Sequence, residues 1–362
     1  MEKEKYLNIL SHFSLDEKPL DVKPFGNGHI NDTLLVTTDS GKPRYVLQKI
    51  NHNIFTDVDM LQNNIRIVTA HIKLKLTEAG ETDIDRKTLT FLPAEEGKFY
   101  WFDGENYWRV SLLIEDSKTY EEVNPQLSYE AGKAFGRFQS MLADIPEGTL
   151  GETIPNFHNM EFRLKQFEDA VKDNAAGRLS KVGDLVDEIR SRAKAMCVQE
   201  DLYREGKLKK RINHCDTKVN NILFDKDGKV LAVIDLDTVM PGYVLSDIGD
   251  FIRTACNTAA EDEADLDKIK VNLDIFKAYA KGYVESAKDF LTPLEISLLP
   301  YGGRLLTYMQ TVRFLTDYLN GDTYYKIHFP EHNLQRTRAQ FRLLQGLEEK
   351  ADEMDEIIKS YL

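Results

Sequence analysis

In the first third of the chain, apolar residues come in short runs broken by turn-forming residues. Asp21–Phe25 leads into Gly26-Asn27-Gly28, and Thr33–Thr38 and Arg44–Ile50 flank the turn cluster Asp39–Pro43. β-Branched runs separated by Gly, Asn and Asp read as strands joined by hairpin-type connections. Between Asp57 and Ala79 the period changes. Val58, Leu61, Ile65, Val68, Ile72 and Leu76 recur every three or four residues, which predicts a helix with one buried face. Thr88–Leu92, Phe99–Phe102 and Tyr107–Ile114 return to strand, the last two joined by a turn at Asp103–Asn106. Up to about Ile114 the chain reads as a five-stranded antiparallel sheet with one helix.

Beyond that point the spacing is helical. Ser128–Leu142 carries Ala131, Phe135, Phe138 and Leu142 on one face, and further helices are predicted from about Glu161, Val182, Ala264, Pro293 and Glu331. One island breaks the pattern: Asn221–Phe224, Asp225–Gly228 and Lys229–Asp237 read as strand, turn, strand. The expected fold class is therefore α+β, with a small antiparallel β N-lobe over residues 1–114 and a larger, mainly helical C-lobe over residues 115–362. The hairpin is inserted in the C-lobe, and the seam falls near Glu115–Lys118. A length of 362 residues suits about two domains.

The residues around the hairpin carry the candidate chemistry. His214-Cys215-Asp216-Thr217-Lys218-Val219-Asn220-Asn221 has the form H-x-D-x-x-x-x-N, and an apolar strand then ends in Asp235. Protein kinases use such a set for phosphoryl transfer: a loop Asp accepts the substrate hydroxyl proton, and an Asn and a second Asp hold magnesium. The residue types suit the task, because the reaction needs an aligned nucleophile and neutralised phosphate charge, and Mg²⁺ takes oxygen ligands. Asp216 is the candidate base, Asn221 and Asp235 the candidate metal ligands, and Lys218 a point charge for the transferring phosphoryl group. Polar loop capping is the plainer reading of the same residues. Asp237, expected on the same strand face as Asp235, is either a second metal ligand or a structural acceptor. Ser246-Asp247-Ile248-Gly249-Asp250 is expected to cap the next helix, with Asp247 tying back to the loop.

In the N-lobe, Gly26 and Gly28 would let backbone amides approach phosphates, although Gly-Asn-Gly is also an ordinary turn. Lys49 stands on the strand before the helix, where a kinase places its phosphate-pairing lysine. A surface lysine is the alternative: alternation puts Gln48 and Lys49 on opposite faces, and the helix offers no Glu before Glu78.

Composition constrains how an anion could be bound. Lys and Arg total 47 against 60 Asp and Glu, a formal charge of −13. Diffuse attraction for nucleic acid or an anionic membrane surface is thereby excluded, and a triphosphate would need a metal ion and local donors. No run reaches the roughly 18 apolar residues of a membrane span, and Met1–Leu10 lacks the apolar core of a secretory leader. Cys197, Cys215 and Cys256 are too scattered for a zinc site or disulfide framework and read as reduced thiols of a cytoplasmic protein.

At these residues the chain resembles the aminoglycoside phosphotransferase and choline kinase-like superfamily, and more closely the bacterial N-acetylhexosamine 1-kinases. The matching stretches are Asn27–Thr33, Tyr45–Asn51, Asp216–Asn221, Ile234–Gly242, Asn257–Glu263 and Arg313–Asp322. Asp-Leu-Asp-Thr-Val-Met-Pro-Gly is far more specific than the superfamily's general His-x-Asp pattern. The resemblance implies a bilobal, protein kinase-like fold and ATP-dependent phosphorylation of the anomeric hydroxyl of N-acetylglucosamine or N-acetylgalactosamine. It puts the base on Asp216 and Mg²⁺ on Asn221 and Asp235, and it suggests His29, Asp32, Arg313 and Tyr324 as sugar contacts. Another small alcohol (an aminoglycoside, choline, homoserine or methylthioribose) is the alternative acceptor. The acidic stretch Glu261–Glu263 bears on it, because cationic acceptors are held by acidic pockets. A catalytically dead nucleotide-binding protein is a further alternative, weighed against by the presence of the base, both magnesium ligands and the Gly-rich turn.

Overall fold

The computed structural model describes residues 2–26 and 31–361. In chain order its longer elements are α1 (Glu2–Leu10), β1 (Pro19–Pro24), β2 (Asp32–Thr38), β3 (Pro43–Ile50), α2 (Val58–Glu78), β4 (Trp101–Phe102) and β5 (Tyr107–Leu112). Then come α3 (Pro125–Leu142), α4 (Met160–Asp173), α5 (Gly183–Arg192), α6 (Val198–Arg204), α7 (Leu245–Ala255), α8 (Leu273–Ala287), α9 (Pro293–Ser297), α10 (Leu299–Asn320), α11 (His332–Glu349) and α12 (Ala351–Lys359). A hairpin of Ile222–Phe224 and Val230–Val233 interrupts the helical run. The α+β class expected from the sequence holds.

Internal contacts divide the chain into two units. The first comprises Met1–Thr119, Asp144–Pro155 and Ile222–Met240. The second comprises Tyr120–Ala143, Asn156–Asn221 and Pro241–Leu362. Two segments that lie beyond residue 115 in sequence, the hairpin among them, thus belong to the same unit as the N-terminal sheet.

The sheet of the first unit runs β1-β2-β3-β5-β4, antiparallel throughout. One face buries Leu34, Val36, Tyr45, Leu47, Trp108 and Val110 against Ile9, Leu10 and Phe13 at the end of α1 and just beyond it. The α1 helix is absent from the sequence reading, which took residues 1–114 to hold one helix. At nine residues it gains its stability from that packing rather than from propensity. Thr88–Leu92, expected as a strand, forms only a bridge at Phe91–Ser111, with backbone bonds from Leu92 to Val110 and from Leu112 to Thr90, both 2.9 Å. Pro93 has no amide with which to continue the ladder.

Helix α2 matches its forecast closely. Asp57 caps it by accepting the Met60 amide at 2.8 Å, and all six periodic residues are buried. It also carries a buried amide, Asn64, which donates to the carbonyls of Gly151 (2.8 Å) and Val239 (3.2 Å) and accepts the Gly151 amide at 3.1 Å. Asn64 thereby stitches the two late segments onto the first unit.

In the second unit, α3 and α8 cross with their backbones nearly touching. A Cβ at Gly132 would stand 2.2 Å from the Tyr279 carbonyl oxygen, and one at Gly282 2.2 Å from that of Tyr129. Elsewhere α4, α5, α10 and α11 share a core of Phe167, Val186, Ile189, Tyr308, Val312 and Leu344, among others. Helix α8 begins at Leu273 rather than near Ala264. The acidic run before it is a loop, with Asp265 capping a single turn and Asn272 capping α8 itself. No helix among the described residues is long and apolar enough to cross a membrane.

Candidate active site

In the second unit, the His214–Asn221 segment is clamped by two carboxylates of α7. Asp247 accepts the His214 amide (2.9 Å), the Cys215 amide (2.7 Å) and the side-chain amide of Gln139 (2.7 Å). Asp250 accepts the Thr217 amide at 3.0 Å, and the Thr217 hydroxyl donates to the Asp247 carbonyl at 2.5 Å. The tie from Asp247 to the loop is thus present, but neither Ser246 nor Asp247 caps the helix; both lie inside its first turn. Cys215 is held at φ 65°, a left-handed conformation unfavourable for a residue with a Cβ. The buried His214 ring meets Phe135 and Phe138 edge-on.

This clamp presents Asp216, whose side chain is 24% exposed and lies 3.1 Å from the Lys218 ammonium. Asn221 donates to the Asp216 carbonyl at 2.8 Å. Three of the four sequence candidates of the loop and hairpin, Asp216, Lys218 and Asn221, are therefore together. Burial pushes the Asp247 carboxyl up to about 6, against the pull of His214 and the backbone amides. Burial acts on Asp250 too, but Arg253, at 2.9 Å, and Lys218 outweigh it and hold that carboxyl below the usual range.

The same unit places Arg313 of α10 in an aromatic surround, 5.2, 5.8 and 5.5 Å from the rings of Phe157, Tyr324 and Tyr325. Arg163 of α4 donates twice to the Phe157 carbonyl, at 3.2 and 2.9 Å. Burial, and then the charge of Arg313, pushes the Arg163 guanidinium down to about 10. Tyr324 is 60% exposed, the most exposed of the large apolar and aromatic side chains among the described residues. Its loop is built by Asp317, a buried carboxylate that accepts the amides of Thr323 (2.9 Å), Tyr324 (2.8 Å) and Tyr325 (2.9 Å). Beside Phe157, His158 is pushed down to about 3 by burial and by Arg313, Arg163 and Arg253, with Asp250 pulling the other way.

In the first unit, Asp235 does not end a strand. The hairpin stops at Val233, Asp235 is exposed and left-handed (φ 59°, ψ 61°), and Leu236–Thr238 form a single tight turn. Asp235 and Asp237 consequently do not share a strand face. Asp237 is buried and takes the structural role: both its oxygens accept from Arg109, and Asn31 donates to one of them. Gly26 has φ 74°, a backbone conformation that favours glycine. Gly28 and His29 lie outside the described residues. Lys49 is ion-paired with Asp32. Two residues expected to meet different ligands are thus brought together, on the opposite face of β3 from Gln48.

Sequence reasoning did not single out Arg109, Arg163, Phe157 or Asp317. For Arg109 a signal existed, because a charge inside the apolar run Tyr107–Ile114 is buried only with a partner. Asp317 lies within the matching stretch Arg313–Asp322 but looks like any helix-end carboxylate.

The chain matches the phosphotransferase enzyme family over residues 21–281. Solved structures of similar fold include an aminoglycoside phosphotransferase from Alicyclobacillus acidocaldarius, with 12% identity, 96% of each chain covered and a TM-score of 0.60. A spectinomycin phosphotransferase in complex with ADP and spectinomycin matches at 12% identity over 100% of this chain and 98% of that one, with a TM-score of 0.57. A Plasmodium vivax ethanolamine kinase matches at 15% identity over 89% and 82%, with a TM-score of 0.52. At such identities the structural likeness is one of fold, whereas the family match spans most of the sequence. The chain belongs to the phosphotransferase enzyme family.

Proposed function

We propose that the protein transfers the γ-phosphoryl group of ATP to the anomeric hydroxyl of N-acetylglucosamine or N-acetylgalactosamine. Asp216 accepts the proton of the attacking hydroxyl, and Lys218 meets the transferring group as a point charge. Gly26 and Gly28 bring backbone amides to the phosphates, with Lys49 as a further cation. His29, Asp32, Arg313 and Tyr324 contact the sugar.

The donor chemistry at Asn221 and Asp235 suits Mg²⁺. The Asn221 amide nitrogen is spent on the Asp216 carbonyl, which leaves an oxygen donor, and Asp235 is an exposed carboxylate. Among the described residues no three His, Cys, Asp or Glu side chains gather to hold a metal. A Mg²⁺ ion held by one or two protein oxygens, with phosphate and water completing its shell, is the arrangement typical of kinases. When bound, the ion neutralises charge on the phosphates during transfer.

The observation that carries the acceptor assignment is the charge around Arg313. Among the described residues no carboxylate pairs with Arg313 or Arg163, and both arginines are anchored on Phe157. Two such guanidiniums repel an ammonium and donate to carbonyl and hydroxyl oxygens, while the exposed Tyr324 offers a face for a sugar ring. The acidic stretch that would favour a cationic acceptor is already used. Glu261 pairs with Arg253, Asp262 with His332 at 2.8 Å, and Glu263 with Lys268 at 3.9 Å. This favours a neutral acylated sugar over an aminoglycoside or choline.

The test is a panel of N-acetylglucosamine, N-acetylgalactosamine, glucose, choline, ethanolamine and an aminoglycoside with MgATP, with products read by ³¹P NMR. The expected result is an anomeric phosphate from the N-acetylhexosamines. Turnover of a cationic alcohol with none on either N-acetylhexosamine would overturn the assignment.

A further inference from the structure

The turn that carries Asp235 is anchored by a guanidinium buried in the sheet of the first unit. Arg109 of β5 is 2% exposed. It spreads its fork over both oxygens of Asp237 (3.0 Å from Nη2 to Oδ2) and donates from Nε to Gln48 Oε1 at 3.0 Å. Asp237 is also 2% exposed, and its third donor is the side-chain amide of Asn31. Asn31 in turn accepts the Asn51 amide at 2.9 Å. The network therefore links β5, β3, the start of β2 and the turn Leu236–Thr238.

Stability alone does not call for such a pair. Desolvating two charges costs about as much as their attraction returns, and apolar residues of similar volume often serve as well. What the pair supplies is direction. A planar fork on a carboxylate fixes both position and orientation. The carboxylate so fixed lies two residues beyond Asp235, in the turn that the left-handed Asp235 enters. Asn31, on the same carboxylate, is the residue that follows the Gly-rich segment Gly26–Ile30.

We propose that Arg109 is a positioning residue for the metal ligand: through Asp237 it sets the direction in which Asp235 is presented to a divalent cation. The inference rests on the reading of Asp235 as a metal ligand.

The test measures Mn²⁺ binding to the full chain in the presence of ADP by EPR, alongside metal-free ADP affinity and thermal unfolding, for Arg109→Met, Arg109→Lys and Asp235→Ala. Arg109→Met is expected to weaken Mn²⁺ binding by about 10- to 100-fold, as loss of an orienting partner does elsewhere. Metal-free ADP affinity should change less than about twofold, because Arg109 is too buried to touch the nucleotide. Arg109→Lys keeps the charge but not the fork and should recover only part of the affinity; it also serves if the methionine variant does not fold. Wild-type Mn²⁺ affinity in a folded Arg109 variant, with binding lost in Asp235→Ala, would overturn the inference and leave the Asp235 reading standing. Wild-type Mn²⁺ affinity in Asp235→Ala would overturn both.

Discussion

Asp247 holds Cys215 in a left-handed conformation: one carboxylate oxygen accepts the Cys215 amide at 2.7 Å, where φ is 65°. The residue immediately following is the candidate base, Asp216. Asp247→Ala would take the carboxylate from the buried amides of His214 and Cys215 and remove one of the two acceptors of the Gln139 amide, leaving it Asn213. The expected loss of stability is about 2–4 kcal/mol, measured by urea unfolding. Asp247→Asn, which keeps one acceptor oxygen, should lose less.

Asp247, which is buried, and His158, which is half-buried, drive opposite pH responses. The Asp247 pKa is raised on folding to about 6, so its contribution to stability falls as pH rises from about 4 to about 6 and is flat above that. The His158 pKa is depressed to about 3, so its contribution is intact above about 6.5 and is lost as pH falls toward 3, by roughly 2 kcal/mol at pH 5. His158→Gln should flatten the acid limb of a stability–pH curve and Asp247→Asn should steepen it. Parallel shifts in the two variants would contradict these assignments.

Asp216→Asn is expected to lower turnover by about 10²–10⁴ while nucleotide binding survives. Comparing initial rates with ADP affinity separates the two effects. Undiminished turnover would remove Asp216 from the mechanism.

Helices α7 and α10 meet at Gly249, where a Cβ would stand 2.3 Å from the Gly302 carbonyl oxygen. Because backbone must move to accept it, Gly249→Ala should cost about 1–3 kcal/mol and loosen the helix that carries Asp247 and Asp250. Gly183→Ala, at a helical site with nothing within 4 Å, is the control and should be neutral or slightly stabilising in the same thermal melt.

Asp317→Ala should release the loop that presents Tyr324. On the proposed reading, the acceptor KM rises by about tenfold or more with little change in the nucleotide KM. Equal changes in both would show a general loss of structure instead.

The elements with strong periodicity were legible from sequence because packing reinforces their local preference. The α2 helix, with six apolar residues on one face and an Asp cap, is the clearest case. Thr88–Leu92 shows the limit: a β-rich run meets β5 through one isolated bridge and two backbone bonds, and no pattern within five residues foretells that. The α1 helix was missed because so short a segment is decided by the sheet it lands on.

For the candidate site, the linear motif gave the loop, and the structure brings Asp216, Lys218 and Asn221 together. It gave no hint of Arg163, whose meaning comes from Phe157 and Arg313 rather than from its neighbours in sequence. The Asp235–Asp237 pair was misread because strand alternation was extended through a left-handed residue. One positive φ separates the two carboxylates, leaving Asp235 exposed and Asp237 buried.

The first unit is completed late in synthesis. Its sheet is in place by residue 112, yet Arg109 receives its carboxylate, and Asn64 one of its acceptors, only when residues 237 and 239 have been made. Until then the nascent sheet holds a cation facing an unfilled place, so the first hundred residues cannot reach their final state ahead of the rest. The ribosome must deliver most of the second unit's early helices before the first can close.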